Sequence, residues 1–110
     1  MIDNEKLDFY LMQLGHDDFV RGTDFLRQAV KIWDREKRPA MTAMLYPEIA
    51  AANSTTPACI DRAIRYSIEK AWDRGNARLQ HELFGFSYSP TSGKPTNGEY
   101  ISRLARLVIV

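Results

Sequence analysis

Cysteine occurs once, at Cys59, among 110 residues. That excludes an internal disulfide and a cysteine-based zinc site. An excess of one charge is missing too: 15 Lys and Arg stand against 14 Asp and Glu, a net charge of +1. Dedicated nucleic-acid binders are usually more basic, because neutralising phosphates supplies much of their affinity. A role of that kind would need positive charge gathered on one face, or a low unaided affinity. Long apolar runs are absent as well, and the tail Leu107, Val108, Ile109, Val110 is too short to span a bilayer. No basic stretch followed by an apolar one opens the chain in the manner of a secretory signal. A cytoplasmic protein with no membrane partner is expected.

What is present suits a single globular domain over residues 1–110, with 45% apolar and 26% charged residues. Glycine and proline divide it into about six helices with short connections. The spacing of Leu7, Tyr10, Leu11 and Leu14 predicts a first helix, capped by Asn4 and stopped by Gly15. Phe25, Leu26, Ala29, Val30 and Trp33 predict a second, broken off before Pro39. A short helix is expected over 40–45 and another over 47–53, with Pro47 at its first position, where a missing N–H costs nothing. Thr55 or Thr56 then caps a long helix that starts at Pro57, runs to Arg74 and ends on a left-handed Gly75. Residues 76–84 read as a further helix closed by Gly85, and 86–95 as the longest loop. Thr96-Asn97-Gly98-Glu99 matches the capping box of a last helix, buried through Ile101, Leu104, Ala105 and Val108. No segment alternates polar and apolar residues, and 86–89 is too brief for more than an extended turn. The expected fold class is all-α, containing a helix-turn-helix with a long recognition helix.

That unit lies within residues 45–76. Ile60, Ala63, Ile64, Ser67, Ile68, Ala71 and Trp72 recur at three- and four-residue spacing, so they face the core. Ala50, Ala51 and Ala52 are small enough to let the preceding helix pack closely across the turn. This is the form of a helix-turn-helix, whose second helix meets DNA from its N-terminal end. The opposite face carries Ala58, Cys59, Asp61, Arg62, Arg65, Tyr66, Glu69 and Lys70. In the major groove an arginine can take a guanine edge or a phosphate, and Asp61 can accept from a cytosine amino group. Thr55 and Thr56, with the free N–H groups of the first turn, could hold a phosphate. The same charges could equally just solvate an exposed helix, with Asp61–Arg65 and Arg65–Glu69 as i,i+4 pairs. Spacing alone leaves both readings open.

Other groupings carry little chemistry. His16 and His81 stand far apart without partners at ligand spacing, so no metal is expected. Cys59 reads as a small thiol rather than a nucleophile. Asp17 and Asp18 suit the start of a helix better than a catalytic pair. The loop with Gly93 and Gly98 lacks the strand, spacing and Lys-Ser/Thr of a phosphate-binding loop. Trp33 and Trp72 suit the core. No enzyme and no cofactor are expected.

The stretches LYPEIA, STTPACIDRAIRYSIEKAWDRGN, LFGF and GKPTNGEYI together resemble the C-terminal DNA-binding domain of stage 0 sporulation protein A. That protein is the master response regulator of endospore formation. The resemblance covers nearly the whole chain. It implies a six-helix fold, double-stranded DNA as partner, and the long central helix in the major groove. It further implies head-to-tail copies on tandem promoter sites, and a contact from Ala77–Phe84 to the sigma subunit of RNA polymerase. Arg62 and Arg65 match arginines of the family's reading helix, and Asp61 stands where the family has a base-contacting glutamate. Cys59 takes the place of a guanine-reading arginine, and a thiol cannot make that bidentate contact. Ala43 replaces a lysine, and Pro57 and Ala58 replace a small polar pair. The receiver domain that the family attaches is not expected within these residues. These departures keep a second reading alongside the first: a protein-interaction module of the same fold, binding the sigma factor or a full-length regulator with weak DNA reading.

Overall fold

Leu7 and Leu11 are buried on α1, Asn4–Gln13, in a computed structural model that describes residues 1–37, 39–85 and 93–110. The N-cap is Asp3 rather than Asn4. Its side chain accepts from the Lys6 N–H at 3.1 Å, and a carboxylate suits the positive end of a helix better than an amide. Gly15 follows at φ 97° and stops the helix as expected. Leu26, Ala29 and Val30 face inward from α2, Arg21–Glu36. Asp17 and Asp18 do not open α2 but belong to the connection before it. There Asp17 folds onto its own backbone, with Oδ1 accepting from the Phe19 N–H at 2.8 Å.

A π-helical turn, Met41–Leu45, runs straight into α3, Tyr46–Ala52, so two expected helices are one continuous run. Pro47 has no N–H to offer back, and the wider turn ahead of it carries the chain through. Thr56 caps α4, Pro57–Arg74, its hydroxyl accepting from the Cys59 N–H at 3.2 Å. Gly75 ends α4 in an extended conformation, φ −85° and ψ −172°, and not the left-handed one expected. Glycine is required there for space: a Cβ would lie 2.2 Å from the Leu14 carbonyl oxygen. Asn76 caps α5, Ala77–Phe84, accepting from the Leu79 N–H. Thr96 caps α6, Asn97–Val108: its Oγ1 accepts from the Glu99 N–H at 3.2 Å, but the Glu99 carboxylate accepts from the Thr96 hydroxyl at 2.9 Å and not from the Thr96 N–H, so only half of the expected capping box forms. Of the loop expected over 86–95, residues 86–92 lie outside the described residues.

The described residues are all-α, apart from one antiparallel bridge between Ile2 and Ile109. Helix α2 packs on both α4 and α6. Leu26, Val30, Ile60, Ile64, Ile101 and Leu104 are fully excluded from water at their common core. Ile60, Ile64 and Ile68 together contribute about 5–9 kcal/mol to docking α4, before the cost of ordering the chain. Ala63 and Trp72 are only half-buried, with Trp72 edge-on to Phe84 at 5.8 Å. At Gly22, α2 passes close to α4: a Cβ there would meet the Ala63 carbonyl oxygen at 2.1 Å. Main chain therefore approaches main chain closely at this crossing.

Candidate nucleic-acid interface

The residues between α3 and α4 form a turn pinned from behind. The Thr55 N–H donates to the Ala50 carbonyl at 3.0 Å. The Asn53 amide donates to the Ile49 carbonyl and to Gln28 Oε1, both at 2.7 Å, and Gln28 Nε2 donates back to Asn53 Oδ1 at 3.3 Å. Gln28 belongs to α2, so a pair of amide–amide hydrogen bonds ties the turn to the core. Ser54 takes up the reversal at φ 54°, a left-handed value that is costly for a non-glycine residue. Of the three alanines expected to line this crossing, only Ala50 is buried; Ala51 and Ala52 face solvent.

The other side of α4 is exposed from its first turn onward. Thr56, Pro57, Ala58, Arg62, Arg65, Tyr66, Glu69 and Lys70 are open to solvent, while Thr55, Cys59 and Asp61 are half-buried. Arg62 Nη2 points back to Cys59 Sγ at 3.6 Å. Of the two expected i,i+4 pairs, Asp61–Arg65 forms, with Arg65 Nη2 donating to Asp61 Oδ2 at 2.6 Å, while no Arg65–Glu69 ion pair is found among the described residues. One turn further, the Lys70 ammonium lies 5.8 Å from the Tyr66 ring centre. The Thr56 hydroxyl, then that of Thr55, hydrogen-bonds the Cys59 sulfur and holds the thiol down to about 7. Thiolate is favoured at this site by hydroxyl donors, with Arg62 adding a smaller attraction.

Two residues that sequence reading passed over complete this face. The Asn97 amide nitrogen lies 3.1 Å from three oxygens: the Tyr46 hydroxyl, the Asp61 carbonyl and Asp61 Oδ1. Burial pushes the Tyr46 phenol above its ordinary range, and the neighbouring Asp61 carboxylate adds to the shift. A groove of about 500 Å³ runs beside this cluster, between α4 and the start of α6, with Arg65, Ile68 and Lys94 on its walls. Nothing in the local sequence flags Asn97 beyond its place in the capping box, since its partners are 36 and 51 residues away.

Among the described residues, no three His, Cys, Asp or Glu side chains gather as metal ligands. His16 instead bridges Ser67 and Tyr100 behind α4. Helix α5 leaves Ala77, Arg78, His81 and Glu82 exposed. No helix among the described residues is long and apolar enough to cross a membrane.

A family model described as "Sporulation initiation factor Spo0A C terminal" matches residues 7–108. The chain belongs to this family. Spo0A C-terminal domains are DNA-binding effector domains of a sporulation transcription regulator, and double-stranded DNA is the partner at that level. The match runs from α1 to the end of α6, so every element that mounts α4 lies inside the Spo0A C-terminal domain.

Proposed function

We propose that this domain regulates transcription by sequence-specific binding of duplex DNA. In this reading α3, the pinned turn and α4 act as a helix-turn-helix with α4 in the major groove. One observation carries it: Arg62 and Arg65 stand side by side on the exposed N-terminal half of a helix whose reverse side is locked in the core. Arg62 and Arg65 take guanine edges or phosphates. Asp61 has about four acceptor sites on its carboxylate, two of them used by Asn97 and Arg65, which leaves room for a cytosine amino group. Ala58 presents a small apolar surface to the base edges beside the compact Cys59 side chain, and Tyr66 lies two turns further along the same face. Thr55, Thr56 and the open N–H groups of the first turn hold a backbone phosphate.

Membership of the Spo0A C-terminal family supports two further contacts. Copies bind head-to-tail as a homodimer on adjacent sites, and the exposed side of Ala77–Phe84 meets the sigma subunit of RNA polymerase. Labelled promoter duplexes titrated at two salt concentrations test the central claim. Affinity should fall steeply with salt, because phosphate contacts release counterions. Absence of salt-dependent binding across a pool of promoter fragments would refute it.

A further inference from the structure

We propose that Asn97, a residue of α6, is a positioning residue for base reading by α4: it fixes Asp61 and, through Asp61, the guanidinium of Arg65. The proposal rests on α4 being the reading helix. Two of the three oxygens around the Asn97 amide nitrogen, a carbonyl and a carboxylate, carry no hydrogen and can only accept. They decide which end of the amide points inward, since its own oxygen would face them unpaired. The second carboxylate oxygen of Asp61 then accepts from Arg65 at 2.6 Å. A chain of hydrogen bonds thus runs from Tyr46 of α3 and Asn97 of α6 to a side chain that is 56% exposed.

An arginine on an open helix face samples many rotamers and loses that freedom on docking. Holding Arg65 in place beforehand removes that loss from the binding step. The asymmetry with its neighbour is informative. Among the described residues Arg62 reaches the Cys59 sulfur at 3.6 Å, a far longer contact than the 2.6 Å between Arg65 and Asp61. Arg65 is the preorganised reader and Arg62 the adaptable one.

Asn97→Ala tests this in two arms. Without DNA, nitrogen NMR follows rotation of the Arg65 guanidinium, expected to be slow in the wild type and faster in the variant. With DNA, the duplex that the wild type selects from a randomised library is titrated beside a scrambled duplex. The variant should lose roughly tenfold affinity for the selected duplex, little for the scrambled one, and nothing more when added to Arg65→Ala. Equal losses on both duplexes, additivity with Arg65→Ala, or unchanged guanidinium rotation would overturn the proposal. Because Asn97 also begins α6, Tyr46→Phe is run in parallel; it keeps the ring, removes the hydroxyl, and should shift both arms the same way by a smaller factor. No shift in Tyr46→Phe rules out the link to α3. A wild type that selects no sequence overturns the reading of α4 as well, and the DNA-free arm separates that result from failure of the Asn97 relay alone.

Discussion

His16 Nε2 lies 2.7 Å from the Tyr100 hydroxyl, 84 positions away in the chain. Its Nδ1 lies 2.9 Å from Ser67 Oγ, which is itself 3.2 Å from the Thr23 hydroxyl. A neutral imidazole offers one donor and one acceptor, and hydroxyls can satisfy both. A proton added here would be buried and would also face the positive charges of Arg27 and Arg74. Burial first, then those two arginines, lowers His16 from 6.5 to about 4.

The unfolded chain therefore takes up this proton near pH 6.5, while the folded domain resists it until about pH 4. The stabilisation from keeping His16 neutral is complete above pH 6.5 and is lost progressively as pH falls toward 4. The full difference is on the order of 3 kcal/mol. Urea unfolding at pH 7.5 and pH 5 should show the lower stability at pH 5. His16→Gln, which cannot titrate, should flatten that interval, and an unchanged slope would count against the assignment.

Gly22→Ala should destabilise the domain although it improves helix propensity. The propensity gain is about 1 kcal/mol. Against it, the new Cβ would sit 2.1 Å from the Ala63 carbonyl oxygen and 2.6 Å from Ser67 Cβ. Backbone cannot rotate away as a side chain can, so overpacking dominates, with a net loss of about 2 kcal/mol or more. Denaturant midpoints of the two proteins measure it directly.

Cys59 should react with iodoacetamide along a pH profile centred near 7, well below that of a free cysteine. Thr56→Val removes the hydroxyl that lowers the thiol most, and should move the midpoint upward. The same variant loses the N-cap bond to the Cys59 N–H, so its stability should fall by about 1 kcal/mol. Rates read by mass spectrometry and a thermal melt separate the two effects.

Arg62→Ala should weaken DNA binding more than Arg21→Ala. A direct base contact is worth about 1–3 kcal/mol of discrimination, whereas Arg21 lies on α2 with its guanidinium over the Phe25 ring at 5.2 Å. Both variants titrated against one selected duplex decide the matter. Equal losses would mean that the exposed side of α4 is not the reading face.

Much of this molecule is written locally. The apolar stripe of α4, its Thr56 cap and the Thr96 cap of α6 each depend on neighbours within one helical turn, so spacing alone reveals them. Some departures fall where the deciding atom is remote. A glycine just after a helix reads as a left-handed stop, but at Gly75 it is the Leu14 carbonyl that demands a glycine. Asp3 outdid Asn4 as a cap because two good candidates stand side by side. On the outer face of α4, Asp61–Arg65 was legible as an i,i+4 pair. Tyr46 and Asn97, which brace that pair, were not, since only folding brings α3 and α6 to it.

The contact at Gly22 separates two properties of α4 that could have been coupled. Its crossing with α2 is held close by main chain approaching main chain at Gly22, on the side away from Ala58, Arg62 and Arg65. In the proposed reading, what the helix says to a base is set by Ala58, Cys59, Arg62 and Arg65, which lie away from that crossing, while Asp61 also ties α4 to α6 through Asn97. In that reading, exchanging Ala58, Cys59, Arg62 or Arg65 changes the sequence selected, while the angle at which the helix is offered stays the same.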